Sequence, residues 1–187
     1  MAVGRDFCRS IEGNLGVCRE TSIAIYGALE KIGIDFFVTF PCNWTSYLLE
    51  LVANGRGTTH VPVTREEEGI GIAAGAWLGG KKPAMIMQSS GIGNSLNALL
   101  SLNRTYNIPL LLLMSHRGVE REKIAAQRGM GTSLKSLLKG AGIHYYELSD
   151  PVQIGRTLSG AFDRAWIEKQ PVAVILSPDL LLEEEAT

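Results

Sequence analysis

The sequence predicts an α/β fold, a three-layer sandwich in which helices cover both faces of a mostly parallel, six-stranded sheet. Short apolar and β-branched runs alternate with longer segments whose apolar residues recur at helical spacing. Two of the runs, LLLLM and VAVIL, are apolar at successive positions, which is typical of strands buried on both faces of a parallel sheet. Because no repeat or linker interrupts the pattern, we expect residues 1–187 to form a single domain.

The predicted helices and strands follow one another in alternation along the chain. Before the first strand, Ile23, Tyr26 and Leu29 recur at helical spacing and predict a helix. Another helix begins after the second strand, and a further one is predicted before the fourth strand from Leu96 and Leu99. The predicted strands cover residues 36–40, 59–63, 84–88, 110–114, 143–147 and 172–176.

Charge and composition exclude several kinds of partner. The 187 residues include 18 basic and 19 acidic ones, so the net charge of -1 gives no field that attracts nucleic acid or an anionic membrane. The longest apolar run, residues 108–114, is far shorter than the roughly 20 residues that cross a bilayer. The opening residues MAVGRDFCRS lack the apolar stretch of a signal peptide, and we therefore expect a cytoplasmic protein.

The three cysteines, Cys8, Cys18 and Cys42, show no Cys-x-x-Cys spacing. This argues against a disulfide framework, an iron–sulfur cluster or a structural zinc site. We expect reduced thiols, no metal ligands in this chain, and a small buried side chain at Cys42.

Four loops that follow predicted strands carry unusual polar side chains. Ligands bind beyond the carboxyl ends of the strands in an open parallel sheet, so these loops are the predicted functional edge. The loops are residues 41–44, 64–69, 89–94 and 115–118.

The glycine-rich loop around Gly91 departs from the nucleotide-binding motifs. Counted from Gly91, the sixth position of a dinucleotide fingerprint is Leu96 instead of glycine or alanine, and no acidic residue ends a strand about 20 residues later. The sequence contains no GxxxxGK[ST] motif. A tight turn explains the glycines, but it leaves the polar residues Ser89, Ser90 and Asn94 unexplained.

Three adjacent glutamates open the predicted helix after the second strand, where carboxylates face the positive end of the helix dipole. That effect alone is enough to explain the cluster. Helical periodicity adds that Glu66 shares a face with Ile70 and Ala73, whereas Glu68 lies on another face with Gly75. Glu66 is therefore the best candidate for a partly buried carboxylate that shares a proton with a ligand base.

The segments TREEEGIGIAAGAW, QSSGIGNS and MSHRG all lie within residues 64–118. This stretch resembles the pyrimidine-binding domain of thiamine diphosphate-dependent decarboxylases, most closely the sulfopyruvate and phosphonopyruvate decarboxylases. The resemblance extends more weakly over almost the whole chain. In that family a glutamate begins a helix of small residues that ends in Ala-Gly or Asp-Gly. With Ala74-Gly75 in that register, Glu66 takes the place of the cofactor glutamate.

The resemblance also implies which residues contact the cofactor. The family's glutamate forms a hydrogen bond with a ring nitrogen of the aminopyrimidine of thiamine diphosphate, so Glu66 is expected to be catalytic and to bind the cofactor. The other expected cofactor contacts are Pro41, Ser89, Ser90, Gly91 and Asn94.

On the substrate side, Asn43 stands where the family places a polar residue, two positions after a proline, and is expected to be catalytic and to bind substrate. An asparagine there is equally typical of a helix N-cap. In the phosphonopyruvate decarboxylases the loop of His116 and Arg117 reads Trp-Arg-Gly, so Arg117-Gly118 matches and His116 departs from the pattern. Further on, Gln127-Arg128 stands where such relatives carry Gln-His. These side chains are expected to bind an anionic 2-oxoacid, with a structural role as the alternative for His116.

Complete enzymes of the family carry a second domain with a Gly-Asp-Gly segment and a downstream asparagine, which hold the magnesium-bound diphosphate. This sequence contains no Gly-Asp-Gly. The resemblance therefore implies a beta subunit that carries this motif and binds most of the Mg²⁺, in a hetero-oligomer of at least two alpha and two beta chains.

The resemblance implies sulfopyruvate as the substrate and sulfoacetaldehyde as the product, a step of coenzyme M biosynthesis. Phosphonopyruvate or another 2-oxoacid remains open, because one anionic pocket accepts related groups. A binding or regulatory domain that keeps the fold without the chemistry is the alternative from a different class of protein.

Overall fold

The computed structural model describes residues 16–183. The helices are α1 (Arg19–Lys31), α2 (Ser46–Asn54), α3 (Glu66–Leu78), α4 (Ile92–Ala98), α5 (Arg128–Gly140), α6 (Ile154–Glu168) and α7 (Pro178–Leu181). The strands are β1 (Phe36–Thr39), β2 (Thr59–Pro62), β3 (Pro83–Gln88), β4 (Leu110–Ser115), β5 (His144–Leu148) and β6 (Pro171–Leu176). A π-helical turn, Leu99–Arg104, continues α4.

The strands form a six-stranded sheet in the order β2-β1-β3-β4-β6-β5, and each neighbouring pair of strands is parallel. Each predicted strand agrees with the observed one to within one residue at either end. An isolated antiparallel bridge outside the strands joins Val17 to Leu182. The predicted α/β class and the parallel sheet are therefore confirmed.

Two apolar cores lie on opposite faces of the sheet. Along β4, Leu111 and Leu113 face α1, α2 and α6, whereas Leu110, Leu112 and Met114 face α3, α4 and α5. This period of two follows from strand geometry, because successive side chains point to opposite faces. With both faces covered, every β4 position is buried, which explains the uninterrupted apolar run in the sequence.

Helix α3 lies unusually close to the sheet at Gly69. A Cβ atom built on this glycine would be 2.9 Å from Val38 Cγ1 and 2.7 Å from Met85 Cε. Only a residue without a side chain allows this approach, which seats the first turn of α3 against the sheet. The order β2-β1-β3-β4 in the sheet then makes the four polar loops neighbours at the carboxyl edge, as expected.

No helix of residues 16–183 is long and apolar enough to cross a membrane. In the same range, no group of three or more His, Cys, Asp or Glu side chains is arranged to hold a metal ion. Cys18 and Cys42 are free thiols, and Cys42 is buried as expected. Cys8 lies outside the described residues.

Candidate active site

Glu66 is the first residue of α3, and its side chain points into the carboxyl edge of the sheet with only 3% of the residue exposed. Its Oε2 atom accepts a hydrogen bond of 3.0 Å from the side-chain amide of Asn94. No described residue forms a hydrogen bond with Oε1. The predicted burial of this carboxylate is therefore confirmed, and it keeps the capacity to pair with a ligand.

The other two glutamates of the cluster have different surroundings. Glu67 forms an exposed ion pair of 2.9 Å with Arg65, and Glu68 accepts a hydrogen bond of 3.2 Å from the exposed side chain of Thr64. Successive helix positions point in directions about 100° apart, so only one of three adjacent residues points inward. The inward one is Glu66, as the periodicity predicted.

Gly91 packs directly against the Glu66 side chain. A Cβ atom at position 91 would be 2.6 Å from Glu66 Cγ and 2.7 Å from Oε1, closer than real Cβ contacts. The backbone of Gly91 has ordinary helical angles, so the need for glycine comes from space and not from conformation. The loop after β3 therefore supplies both the wall beside the carboxylate and, through Asn94, its hydrogen-bond donor.

Ser89 connects the loop after β3 with the loop after β4. Its buried hydroxyl donates to the carbonyl of Arg117 at 3.2 Å and accepts from the N–H of Arg117 at 3.0 Å. These contacts favour a role in holding the two loops together. Ser90 is half-buried beside it. Cofactor contacts by Ser89 and Ser90 stay predictions.

Arg117 lies two residues after the end of β4 and is 3% exposed. Its Nε donates to Glu122 Oε2 at 2.6 Å and its Nη2 to Oε1 at 3.0 Å, so the two side chains form a bidentate ion pair. The guanidinium carbon lies 4.5 Å from the centre of the Trp44 ring, a cation–π contact. The geometry thus favours a positioning role for Arg117, and its direct contact with substrate stays a prediction.

The ion pair controls the ionisation of both partners. Burial by itself would raise the pKa of the Glu122 carboxyl, but the hydrogen bonds from Arg117 and from the N–H groups of Ile124 and Gly118 outweigh it and hold the pKa below its ordinary value. Burial by itself would lower the pKa of Arg117, but the bonds to Glu122 and the nearby Cys42 raise it. Both groups are therefore charged at neutral pH.

The remaining predicted residues surround this pair. His116 is half-buried, and its Nε2 lies 3.2 Å from the carbonyl of Gly131. Arg128 is exposed in the first turn of α5, Asn43 is half-buried, and Pro41 is exposed. Their contacts with substrate or cofactor stay predictions.

The N-cap interpretation of Asn43 is wrong. Asn43 is the first residue of a 3-10 turn whose N-cap is Cys42, and the N-cap of α2 is Thr45. The side chain of Asn43 is therefore not used to start a helix.

Sequence reasoning missed Glu122 and the contact between Trp44 and Arg117. Glu122 lies in an irregular loop, where no periodicity marks a buried position. The signal that could have indicated it is the pairing of an arginine with a glutamate five residues later in a glycine-containing loop. Trp44 stands beside Asn43 in one of the four polar loops, but a tryptophan there is also an ordinary core residue.

The site thus combines a buried carboxylate with an available oxygen, a glycine wall, and cations close by. Residues 19–137 match the sequence model of the family described as "Thiamine pyrophosphate enzyme, N-terminal TPP binding domain". Thiamine pyrophosphate is another name for thiamine diphosphate. Because the match covers more than half of the 187 residues, the chain belongs to the family of thiamine pyrophosphate enzymes.

Within that family, the relatives of matching length carry one name. "Sulfopyruvate decarboxylase subunit alpha" of Methanococcus maripaludis is 42% identical over 155 residues, which cover 83% of this chain and 93% of the relative. The protein of the same name from Methanocaldococcus jannaschii is 43% identical over 154 residues, 82% of this chain and 91% of the relative. The resemblance to the sulfopyruvate decarboxylases is confirmed.

A longer relative contains a region that is similar to this chain. "Sulfopyruvate decarboxylase" of Methanosarcina acetivorans is 41% identical over 150 residues, which cover 80% of this chain but only 38% of the relative. The region similar to this chain therefore belongs to a longer polypeptide in that organism.

Solved structures of low identity share the fold. A 2-oxoglutarate:ferredoxin oxidoreductase from Magnetococcus marinus superposes with a TM-score of 0.72 at 17% identity, over 90% of this chain and 30% of the other. Benzoylformate decarboxylase from Polynucleobacter necessarius superposes with a TM-score of 0.60 at 19% identity, over 89% of this chain and 31% of the other. The chain spans about a third of the length of these structures, and the likeness concerns the fold alone.

Proposed function

We propose that this chain is the pyrimidine-binding subunit of a thiamine diphosphate-dependent decarboxylase that converts sulfopyruvate and a proton to sulfoacetaldehyde and carbon dioxide. The observation that carries the proposal is the buried Glu66 carboxylate, held by Asn94 and walled by Gly91 at the carboxyl edge of the sheet. The names of the relatives support the substrate. Residues 1–187 act as one pyrimidine-binding domain in this proposal.

The residues present fit the cofactor. The aminopyrimidine is a planar base, and a buried carboxyl group with an unused oxygen can form a hydrogen bond with such a ring nitrogen when one of the two groups carries the proton. Glu66 would hold the ring nitrogen, while Pro41, Ser90 and the backbone at Gly91 would line the ring. When bound, thiamine diphosphate supplies the electron sink for the electrons released as carbon dioxide leaves.

The Oε1 atom of Glu66 would form the hydrogen bond with the ring nitrogen, because Asn94 already bonds to Oε2. The position of the Glu66 side chain is fixed, because Asn94 orients one oxygen and Gly91 confines the side chain. Asn43 can donate and accept hydrogen bonds but cannot transfer a proton, so its role is to orient the substrate.

Cations near the edge suit a substrate with two anionic groups. Arg128 is a permanent cation in the first turn of α5, where the free N–H groups of the helix also attract anions. His116 lies on the neighbouring loop, half-buried. We assign both to the sulfonate or the carboxylate of the substrate.

The second half of the site comes from another polypeptide in this proposal. A beta subunit with a Gly-Asp-Gly segment would bind the diphosphate and most of the Mg²⁺, and at least two chains of each kind would assemble. The length of the Methanosarcina relative supports this division, because its remaining part has room for a second domain. The cytoplasmic location stays a prediction.

Reconstitution tests the proposal. The chain is mixed with the product of an adjacent reading frame that contains Gly-Asp-Gly and a downstream asparagine, then supplied with thiamine diphosphate and Mg²⁺. We expect release of carbon dioxide from sulfopyruvate only in the mixture, with kcat/KM about 10-fold or more above the values for phosphonopyruvate and pyruvate. Turnover by the isolated chain would contradict the division of the site, and a preference for pyruvate would contradict the substrate.

A further inference from the structure

Glu122 lies in the loop between β4 and α5, where no periodicity marks a buried position. The residue is 7% exposed, and its carboxylate accepts hydrogen bonds from the Arg117 guanidinium at 2.6 and 3.0 Å. It also accepts from the N–H groups of Gly118 at 3.1 Å and Ile124 at 2.9 Å. The Glu122 carboxylate therefore joins Arg117 and Gly118, near the beginning of the loop, to Ile124 at its far side.

Other contacts of the loop include a turn bond of 3.2 Å from the Glu122 N–H to the Val119 carbonyl and the contacts of the Arg121 guanidinium with the Leu182 carbonyl and with Asp179. Residues 116–124 contain no helix or strand, and Gly118 and Arg121 have φ angles of +80° and +65°. A positive φ is unfavourable for arginine, so this backbone shape needs contacts that impose it. Gly118 also lies against the start of α5, because a Cβ there would collide with the carbonyl oxygen of Gln127. Glu122 bonds to N–H groups on both sides of this segment.

The same pair of side chains extends to the other loops of the edge. The Arg117 guanidinium stacks on Trp44, which follows Asn43 in the loop after β1. The Arg117 backbone is bonded to Ser89 in the loop after β3. A displacement of the Glu122 carboxylate would thus be transmitted to three of the four polar loops.

A buried ion pair contributes little net stability, because desolvation offsets most of the attraction and apolar replacements are often as stable. We infer that Glu122 is a positioning residue of the site, which acts through Arg117 to fix the loop that carries His116 and leads to Arg128, and to seat Trp44 beside Asn43. This inference rests on the proposed function. In this inference Glu122 acts through Arg117 and not by its own contact with cofactor or substrate.

The first test is Glu122→Gln in the reconstituted complex, with Glu120→Gln as the matched control, because Glu120 is an exposed glutamate of the same loop. We expect KM for sulfopyruvate to rise about 10-fold or more in Glu122→Gln, with the exchange of the thiazolium hydrogen, which reports on Glu66, within about two-fold of the parent. Glu120→Gln should match the parent both in KM for sulfopyruvate and in the exchange of the thiazolium hydrogen. An unchanged KM, or an equal loss of hydrogen exchange, would overturn the inference.

A second variant separates positioning from stability. Arg117→Met with Glu122→Met removes both charges and leaves neither one buried alone, so it is expected to fold even where the single variant does not. The unfolding temperature should return towards that of the parent while KM stays raised, because methionine cannot accept the N–H groups of Gly118 and Ile124. Recovery of the parental KM would show that only packing is required.

A third measurement does not depend on turnover. Amide hydrogen exchange followed by mass spectrometry on the full chain should show residues 116–124 exchanging roughly 10-fold faster in Glu122→Gln, with β4 unchanged. Equal exchange rates of residues 116–124 in Glu122→Gln and in the parent would overturn the inference even if the decarboxylase assignment holds. Conversely, a parent complex without decarboxylase activity would remove the proposed function and leave this measurement valid for the loop.

Discussion

At the start of α3, three adjacent glutamates lie in three different surroundings. Glu66 is buried against Gly91, Glu67 pairs with Arg65 at the surface, and Glu68 is exposed. The side chains are chemically identical, so the difference comes only from the direction in which each helix position points. Position in the helix therefore decides which of the three carboxylates is buried at the carboxyl edge of the sheet.

Replacement of Glu66 by glutamine should leave the fold intact and slow the chemistry. Glutamine fills the same volume and still accepts from Asn94, but it cannot exchange a proton with a ring nitrogen. We expect exchange of the thiazolium hydrogen with deuterated water in the reconstituted complex to fall about 100-fold, which corresponds to about 3 kcal/mol of barrier. Circular dichroism verifies folding.

Glu68→Gln is the control for this prediction, because Glu68 has the same chemistry on the exposed face of the same turn. Its exchange rate should stay within about two-fold of the parent. If Glu68→Gln were the slow variant and Glu66→Gln the normal one, the assignment of the cofactor carboxylate would be wrong.

Gly91→Ala should displace the Glu66 carboxylate, because the added methyl would lie 2.6 Å from Glu66 Cγ. A misplacement of this kind costs about 10- to 100-fold in the exchange of the thiazolium hydrogen. Gly93→Ala is the control, since its nearest neighbour is the flexible end of Met130 at 3.2 Å. Equal rates in Gly91→Ala and the parent would show that the carboxylate does not depend on this contact.

Among the elements, α3 combines two kinds of glycine. Gly69 faces the sheet at a distance that excludes a side chain, whereas Gly75 is exposed and an added methyl there would have no neighbouring atom within 4 Å. The first is needed for packing and thereby for the depth at which Glu66 sits. The second only weakens the helix, because glycine is less favourable than alanine in a helix interior.

The two glycines should respond to alanine with opposite signs. Gly75→Ala should raise the free energy of unfolding of the full chain by about 0.5 to 1 kcal/mol through helix propensity. Gly69→Ala should lower it by about 1 to 3 kcal/mol, because Val38 and Met85 must move. Urea unfolding measures both, and a stabilised Gly69→Ala would contradict the close packing of α3 on the sheet.

Across the whole molecule, the order of the strands decides which loops meet. Strands β2, β1, β3 and β4 lie side by side in that order in the sheet. In the chain β2 is followed by α3 and then by β3, whereas in the sheet β1 lies between β2 and β3. The loops that follow them therefore share one edge, and the ion pair of Arg117 and Glu122 lies buried beneath it. A charged pair inside the fold makes the stability of the whole molecule depend on pH.

The pH dependence follows from the lowered pKa of Glu122. A carboxyl whose pKa is lower in the folded state stabilises the protein above its unfolded pKa, about 4.3, and loses this effect as the pH falls through the folded value. We expect Glu122→Gln to cost about 3 kcal/mol of unfolding free energy above about pH 5, with the difference from the parent narrowing below about pH 4. Denaturant unfolding of both proteins from above about pH 5 to below about pH 4 measures this difference.

Glu120→Gln serves as the reference for the acid experiment, because it removes an exposed carboxylate from the same loop. The unfolding free energy of Glu120→Gln should differ little from that of the parent, and the difference should not depend on pH. If the difference in unfolding free energy between Glu122→Gln and the parent grew towards acid pH, the lowered pKa of Glu122 would be contradicted.

Much of the fold was predictable because its signals are local. The apolar runs gave each strand to within one residue, and the helical spacing of Ile70 and Ala73 identified the inward face that Glu66 shares. Arg117 shows the limit of this reasoning. Its place just after the end of β4 suggested a ligand for an anion, whereas its guanidinium is paired with Glu122 and stacked on Trp44.

The sequence by itself determined the fold class, the strands, and the one carboxylate of three that is buried, because periodicities of two and 3.6 residues are properties of neighbouring positions. Only the tertiary structure decided which polar groups satisfy one another. The bonds of Ser89 to Arg117, the confinement of Glu66 by Gly91, and the stacking on Trp44 join segments 25 or more positions apart. Such contacts depend on strand order and close packing, which no local pattern encodes.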